Sequence, residues 1–478
     1  MDQVAVGADF LLLDRAQIPA GGLTDWLVNA LRSAIDDGRL GPGVRLPPTR
    51  ALAADLGVSR GVVVEAYRRL ADEGLVGGRA GGGTAVLARP VAAPPRARPT
   101  RFDAGPLRLP RPRLPTGQGI DLSPGVPDLS AFPRSMWLRT ERAVLNDTAP
   151  EDLGYGDPRG HPRLRAALAP WLARTRGLRV GPDDIVVVAG VAQAMALLSQ
   201  LLRRDGVDRI AVEDPGSRGA VDEFAYWGLD PVPIPVDDDG IRVDELSDAD
   251  VRAAVLTPAH QFPTGVVLAP QRRRELLAWA AHADLVIEDD YDAEYRYDRA
   301  PVPALHASEP ARIAYAGSTS KSLAPGLRLG WLVPPPRRYD DVVAAKHATD
   351  LGSPTVPQLV LARLMESGEY DRHLRLARSR HRARRDALLD ALRTHLPEAS
   401  VRGVAAGLHL LVTLPESVDD DAAAAELRDA GVLVHPLSWH RRRPGPPGLV
   451  IGYAAHPPDR LREAAATIAR VLAARHVT

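Results

Sequence analysis

Ser318-Thr319-Ser320-Lys321-Ser322-Leu323-Ala324-Pro325-Gly326-Leu327-Arg328 sets one amine among small and hydroxyl-bearing residues, with a guanidinium seven positions on. Lysine occurs only at 321 and 346 in this 478-residue chain; of its 60 Lys and Arg residues the rest are arginine. An ammonium can lose its proton and attack an aldehyde to form a Schiff base, which a guanidinium cannot do. The stretch around Lys321 therefore holds the parts needed to bind a phosphorylated aldehyde. A lysine facing solvent from a loop is the plain alternative. That plain reading is assigned to Lys346, in Ala345-Lys346-His347, which lacks such surroundings. The bias to Arg, Ala, Pro and Gly matches a GC-rich coding sequence and makes lysine scarce in itself, but arginine still could not serve at a Schiff-base position.

The length implies two or more domains, because single cores rarely grow past about 250–300 residues. A hydrophobic content of 45% and a charged content of 25% fit a globular protein. The chain has no cysteine, which excludes disulfides and thiolate metal ligands. No apolar run reaches the roughly 18–20 residues of a membrane span. Met1-Asp2-Gln3-Val4 lacks the start of a signal peptide, so a cytoplasmic location is expected by default. The formal net charge is zero, so any attraction to nucleic acid must come from local patches.

Residues 23–35 place Leu23, Leu27, Ala30, Leu31, Ala34 and Ile35 on one helical face, and Gly38 ends that helix. Leu46-Pro47-Pro48 reads as extended. A short helix from Thr49 stops at Gly57, and Ser59 is placed to cap a third helix running to about Glu73. Val63, Ala66, Tyr67 and Leu70 face inward on it; Arg60, Gly61, Val64 and Arg68 face outward. Leu75-Val76, a glycine-rich tip through Gly83 and Thr84–Leu87 then form a hairpin. A helical dimerisation module is the bland alternative. Against it, Arg50 and Arg60 begin the second and third helices, where side chain and positive helix end can both meet a phosphate. The run from Leu46 to Arg60, followed by Glu65-Ala66-Tyr67-Arg68-Arg69-Leu70 and Gly74-Leu75-Val76, resembles the winged helix-turn-helix of GntR-type regulators over residues 20–87. That resemblance implies DNA contacts at Arg50, Arg60 and Gly81, with Arg45 and Arg79 as weaker candidates.

An N-terminal arm, 1–19, precedes this module. A linker, 88–118, follows it, rich in Pro and Arg and unable to pack a core. Its Arg96, Arg98, Arg111 and Arg113 are set to be solvated or to touch DNA phosphates, in which case they steepen the salt dependence of binding.

Residues 119–478 alternate apolar strands with helices. Strand candidates are 185–189, 209–212, 253–256, 285–287 and 313–316, which predicts a mostly parallel sheet flanked by helices. Ligands sit outside the carboxyl ends of such strands. Gly190-Val191-Ala192-Gln193, Glu288-Asp289-Asp290-Tyr291 and the Lys321 loop all fall there. The Asp-Asp pair alone fits a helix cap or a metal site, and no metal ligand set is assigned. Together with Gly154-Tyr155-Gly156-Asp157-Pro158-Arg159-Gly160 and Pro263-Thr264-Gly265, these motifs resemble fold-type I pyridoxal 5'-phosphate (PLP) enzymes of the aminotransferase class. Fusion of such a domain, with its small C-terminal α+β subdomain, to a GntR-type reader resembles the MocR subfamily, which includes PdxR-like regulators.

The resemblance implies PLP as cofactor and assigns roles by position. Lys321 forms the Schiff base, Asp289 pairs with the pyridine nitrogen and Tyr291 bonds the ring hydroxyl. Ser318, Arg328 and the N–H groups of Val191 and Ala192 bind the phosphate. Tyr155 reaches the phosphate of a neighbouring subunit, which implies a head-to-tail homodimer. Three positions depart from the enzymes. Ser217 stands where a ring-stacking aromatic is usual, and Phe262 replaces the Asn of Asn-Pro-Thr-Gly, leaving His260 or Gln261 to supply that hydrogen bond. Leu449 falls where an arginine clamps a substrate carboxylate, although Arg441, Arg442 and Arg443 are near in sequence. Two functions follow as expectations. One is a DNA-binding regulator that senses PLP or a PLP-reactive amino compound, with vitamin B6 or amino-compound metabolism as its field. The other is an active aminotransferase with an attached DNA-binding head.

Overall fold

The computed structural model describes residues 21–79, 83–87, 114, 119–292, 294–298, 302–403 and 405–475. Expectations for the 1–19 arm, Gly81, the linker arginines and the Arg79 side chain lie outside the described residues. The chain divides into two compact units, Met1–Phe102 and Asp103–Thr478.

In the first unit, α1 (Leu23–Asp36) buries Leu27, Val28, Leu31 and Ala34 along one face. It packs on α3 (Arg60–Asp72), which also packs on α2 (Thr49–Leu56). Gly57, at φ 67°, makes the tight turn between α2 and α3, a conformation that glycine adopts without a Cβ penalty. Ser59 takes the N-cap position of α3, but its side chain makes no capping bond. The α3 face of Val63, Ala66, Tyr67 and Leu70 is buried as the spacing predicts. The Tyr67 hydroxyl donates to the Pro47 carbonyl at 2.9 Å, tying α3 to the extended segment. β1 (Val76–Arg79) pairs antiparallel with β2 (Gly83–Val86) as a wing. Residues 43–46 add a third extended piece, through Leu46 N–H to Thr84 O and Val86 N–H to Val44 O, both 2.9 Å. That pairing brings Arg45 opposite Ala85, beside the wing.

The second unit begins with β3 (Ile120–Asp121), α4 (Arg134–Asp147) and α5 (Pro162–Arg176). There follow β4 (Val186–Val188), α6 (Val191–Arg204), β5 (Arg209–Asp214), α7 (Arg218–Tyr226), β6 (Asp230–Asp237), β7 (Gly240–Ile241) and α8 (Val243–Asp248). Next come β8 (Ala253–Leu256), α9 (Pro270–Ala280), β9 (Leu285–Asp290), β10 (Ile313–Ser318), β11 (Gly330–Val333), α10 (Tyr339–Asp350), α11 (Thr355–Glu366) and α12 (Glu369–His395). The chain closes with β12 (Ser400–Arg402), β13 (His409–Thr413), α13 (Asp420–Asp429), β14 (Val432–Leu433), β15 (His435–Pro436), β16 (Gly448–Gly452) and α14 (Pro458–Arg475).

The main sheet runs β4-β11-β10-β9-β8-β5-β6-β7. Strands β5, β6, β8, β9 and β10 are parallel, while β11 is antiparallel to both its neighbours. All five strand candidates form, and β6 and β11 join them. β6 hides in sequence because Pro231, Pro233 and Pro235 interrupt it. Those alternate positions lack N–H groups on one side only, which suits a strand that pairs fully with β5 on one side and has just the two-residue β7 on the other. Strand alternation splits the core: Val186 and Val188 pack on one face with Leu198 and Ile287, and Val187 packs on the other with Trp171 and Trp331. The smaller sheet, β12-β13-β16-β15, packs its inner face with residues of α12, α13 and α14. Ile120 and Leu122 belong to the same core, so the start of the second unit is tied to its end. Among the described residues no helix is long and apolar enough to cross a membrane.

Candidate functional site

Alternation along β9 sorts its acidic run into structural and outward-facing groups. Glu288 accepts backbone N–H bonds from Leu305 and His306. Asp290 is buried in an ion pair with Arg176 at 2.6 Å and accepts the Tyr315 hydroxyl. Asp289 points the other way. Its Oδ1 is buried without a hydrogen-bond partner. Burial, reinforced by Asp290, pushes the Asp289 carboxyl up to about 7, and the positive charge of Lys321 opposes that rise. A carboxylate held near a cation with an unused buried oxygen is suited to a protonated ring nitrogen.

Lys321 leaves the end of β10 half-buried, with its Nζ donating to the Gly125 carbonyl at 2.5 Å. Ser318, the last residue of β10, is buried and accepts the Ser320 N–H on its hydroxyl. Across the strand end, Gly190 caps α6 at φ 88°, so Val191 and Ala192 present first-turn N–H groups. Arg328 donates to the Ala189 carbonyl, and a Cβ on Gly190 would lie 3.3 Å from its guanidinium. Arg328 thus meets the α6 N-terminus at Gly190, and Ser318 pairs with Gly330, where a Cβ would lie 2.9 Å from Gly190 Cα.

Tyr291 Oη lies 3.1 Å from His260 Nδ1, which is also 3.0 Å from Asp292 Oδ2. This Asp292–His260–Tyr291 chain was only partly legible: His260 was an alternative, and Asp292 was missed. Gln261, the other alternative, is consumed by Pro215 O, Phe262 O and Thr264. His409 was also missed. Its donor atom and those of His260 and Asp292 lie within 4.8 Å of one another, a grouping no sequence spacing announced. Burial holds His409 well below the ordinary histidine range. Phe262 packs edge-on against Tyr291, His409 and His440. Gly407 permits the closeness, since a Cβ there would come within 2.0 Å of His260 Cε1.

Ser217 caps α7 through the Ala220 N–H, and the neighbouring Gly216 N–H donates to the His440 carbonyl. Leu449 requires a correction of register. It packs into the core with α12 and α14, whereas Val450 packs on the opposite face with Leu411 and Leu437. Those two residues line a cavity of about 450 Å³ that also holds Arg402, Arg441 and Arg443. Val450 is therefore the β16 residue on the side of Leu411 and Leu437, buried there, and it too carries no guanidinium. Lys346 also needs correction: it is fully buried in α10 and paired with Asp350 at 2.8 Å, not a surface lysine in a loop. Tyr155 is 86% exposed.

In the first unit Arg45, Arg50 and Arg60 are exposed and form no ion pair among the described residues. Arg60 Nε reaches Thr49 Oγ1 at 3.4 Å, which brings the starts of α2 and α3 together. Arg32, Arg68 and Arg69 are paired instead with Glu73, Glu65, Asp72 and Asp25.

Residues 23–86 match the bacterial regulatory proteins of the gntR family, and residues 118–468 match aminotransferase class I and II. The probable rhizopine catabolism regulatory protein MocR of Rhizobium meliloti is 33% identical over 95% of this chain and 94% of its own. The chain belongs to the MocR-type gntR regulators. The pyridoxine biosynthesis regulator PdxR of Corynebacterium glutamicum is 34% identical over 91% of this chain and 93% of its own. Among solved structures, the kynurenine aminotransferase of Pyrococcus horikoshii matches 75% of this regulator and 92% of its own chain, with 28% identity and a TM-score of 0.70. The regulator is a helix-turn-helix transcription factor joined to an aminotransferase-fold unit.

Proposed function

We propose that this regulator binds PLP at Lys321 and that the bound PLP is the signal which alters its grip on operator DNA. The partnerless buried oxygen of Asp289 beside Lys321 carries the reading. An aspartate left so, with its charged form disfavoured, gains most when a ring N–H⁺ meets it. PLP, when bound, supplies an aldehyde for the lysine amine and a ring that draws electrons. The chain's own groups then divide the work. Lys321 would hold its amine ready for that aldehyde, and Asp289 would keep the ring nitrogen protonated. Tyr291, oriented by His260 and Asp292, donates to the ring hydroxyl. Ser318, Arg328 and the first N–H groups of α6 hold the phosphate.

Neither Leu449 nor Val450 offers a carboxylate clamp, which favours PLP itself over an amino acid as the effector and a sensor over an enzyme. A homodimer completes the site in this reading. Tyr155 is almost wholly exposed, and Leu138 and Leu145, one heptad apart on α4, are 64% and 53% exposed with Leu153 nearby at 60%. A second copy of the chain would cover that apolar surface and bring its own Tyr155 to the phosphate. The head contributes Arg50 and Arg60 to DNA, with Arg45 beside the wing. Domain limits of 20–87 and 119–478, with a basic linker between, are part of the same proposal.

PLP can change DNA affinity only if it favours one arrangement of the dimer over another. The test is binding to DNA upstream of the regulator's own gene with PLP varied. Affinity should change with PLP in the wild type and not in Lys321→Ala; a wild type indifferent to PLP would remove the sensing role.

A further inference from the structure

The second lysine is buried where the phosphate cradle is built. Lys346 is fully buried, its Nζ 2.9 and 2.8 Å from the Asp350 oxygens and 3.3 Å from Gln193 Oε1. A charge so placed survives only when paired and hydrogen-bonded. Gln193 Oε1 also accepts the Ala189 N–H at 2.8 Å, while its Nε2 donates to Asp350 Oδ2 at 2.6 Å. The amide can point only one way. An ammonium and a backbone N–H demand oxygen at one end, and a carboxylate demands the NH₂ at the other.

Ala189 immediately precedes the Gly190 turn that opens α6. Its N–H is held by Gln193 and its carbonyl by Arg328. The residue that leads into this turn is thus held through both its N–H and its carbonyl. The same carboxylate reaches further, because Asp350 Oδ1 accepts the Gly352 N–H at 3.0 Å. A Cβ on Gly352 would lie 3.7 Å from the Tyr155 and Asp157 carbonyls. One ion pair therefore fixes both this subunit's helix N-terminus and the backbone behind Tyr155.

We infer that Lys346, acting through Asp350 and Gln193, is a positioning residue for the cofactor phosphate, so that the chain's two lysines serve opposite ends of one ligand. The inference rests on the PLP reading above, and its test separates the two. PLP and pyridoxal, which lacks the phosphate, are titrated into the full-length protein while absorbance of the lysine adduct is followed. The variants are Gln193→Leu, which leaves the ion pair intact, and the charge-neutral double change Lys346→Met with Asp350→Asn. Both variants should weaken PLP about tenfold, the value of one lost charge-assisted contact, and leave pyridoxal nearly unchanged. Equal losses for both ligands would show a merely structural role and overturn the inference, as would no loss for PLP in Gln193→Leu. A wild type that binds neither ligand would instead sink the PLP reading itself.

Discussion

In the DNA-reading head, Arg45, Arg50 and Arg60 lie exposed with no carboxylate partner among the described residues, and neighbouring arginines are neutralised by Glu and Asp. In the aminotransferase-fold unit both lysines are drawn inward: Lys321 to a carbonyl 196 positions away, Lys346 to Asp350 and Gln193. A surface that meets a polyanion needs only guanidinium groups kept in water at helix starts. A site that captures one small molecule needs groups fixed in advance by partners far off in sequence. Mutations should accordingly separate the two units.

The largest separation is expected at Asp289. Asp289→Ala would remove the group proposed to meet the protonated ring nitrogen and should weaken PLP by about a hundredfold. DNA binding measured without PLP should stay at the wild-type level. Loss of both functions together would mean that the units do not act separately.

Arg60→Ala is the mirror experiment. It should weaken operator binding by about tenfold, with a smaller change in the slope against salt if the contact is to a base edge than if it is to a phosphate. The adduct absorbance should be unchanged.

How much of this contrast could be read in the sequence follows from the same physics. The head was legible almost whole, because its core obeys a single helical period and its end signals, Gly57 and Gly74, are local. Only the strand-like 43–46 segment escaped, since its pairing with β2 is non-local. In the large unit Lys321 stood out by its rarity, and Asp289 by its place after an apolar strand. His409 and Asp292 were not legible, because β13 and the loop after β9 bring them beside His260 only in three dimensions. Lys346 was misread for a related reason: burial of a charge depends on Asp350 one helical turn later and on Gln193, more than 150 positions earlier. The register at Leu449 failed because apolar residues fill both faces of β16, leaving alternation without a visible phase.

A smaller effect concerns stability. Asp289 has its carboxyl raised to about 7 by burial, so its charge burdens the folded apo protein at neutral pH. A group raised in this way contributes least strain below the ordinary aspartate value near 4, and stability is lost as pH rises toward 7. Asp289→Asn removes the charge at nearly constant shape. The apo variant should melt a few degrees (about 2–4 °C) above wild type at pH 8, with the gap closing toward pH 4. Its PLP affinity should fall at the same time. A variant that melts lower than wild type at pH 8 would place Asp289 in a satisfied structural network instead.

The smallest effect separates sensor from enzyme. With neither Leu449 nor Val450 able to clamp a carboxylate, a panel of common amino acids should produce at most slow half-transamination. Steady turnover with any of them would favour the aminotransferase reading.

A chain with two lysines makes the central assignment unusually direct to test. Borohydride reduction of the protein with PLP, followed by peptide mass mapping, should place one phosphopyridoxyl group on the peptide containing Lys321 and none on Lys346. A label on Lys346, or no label on either lysine at saturating PLP, would contradict it.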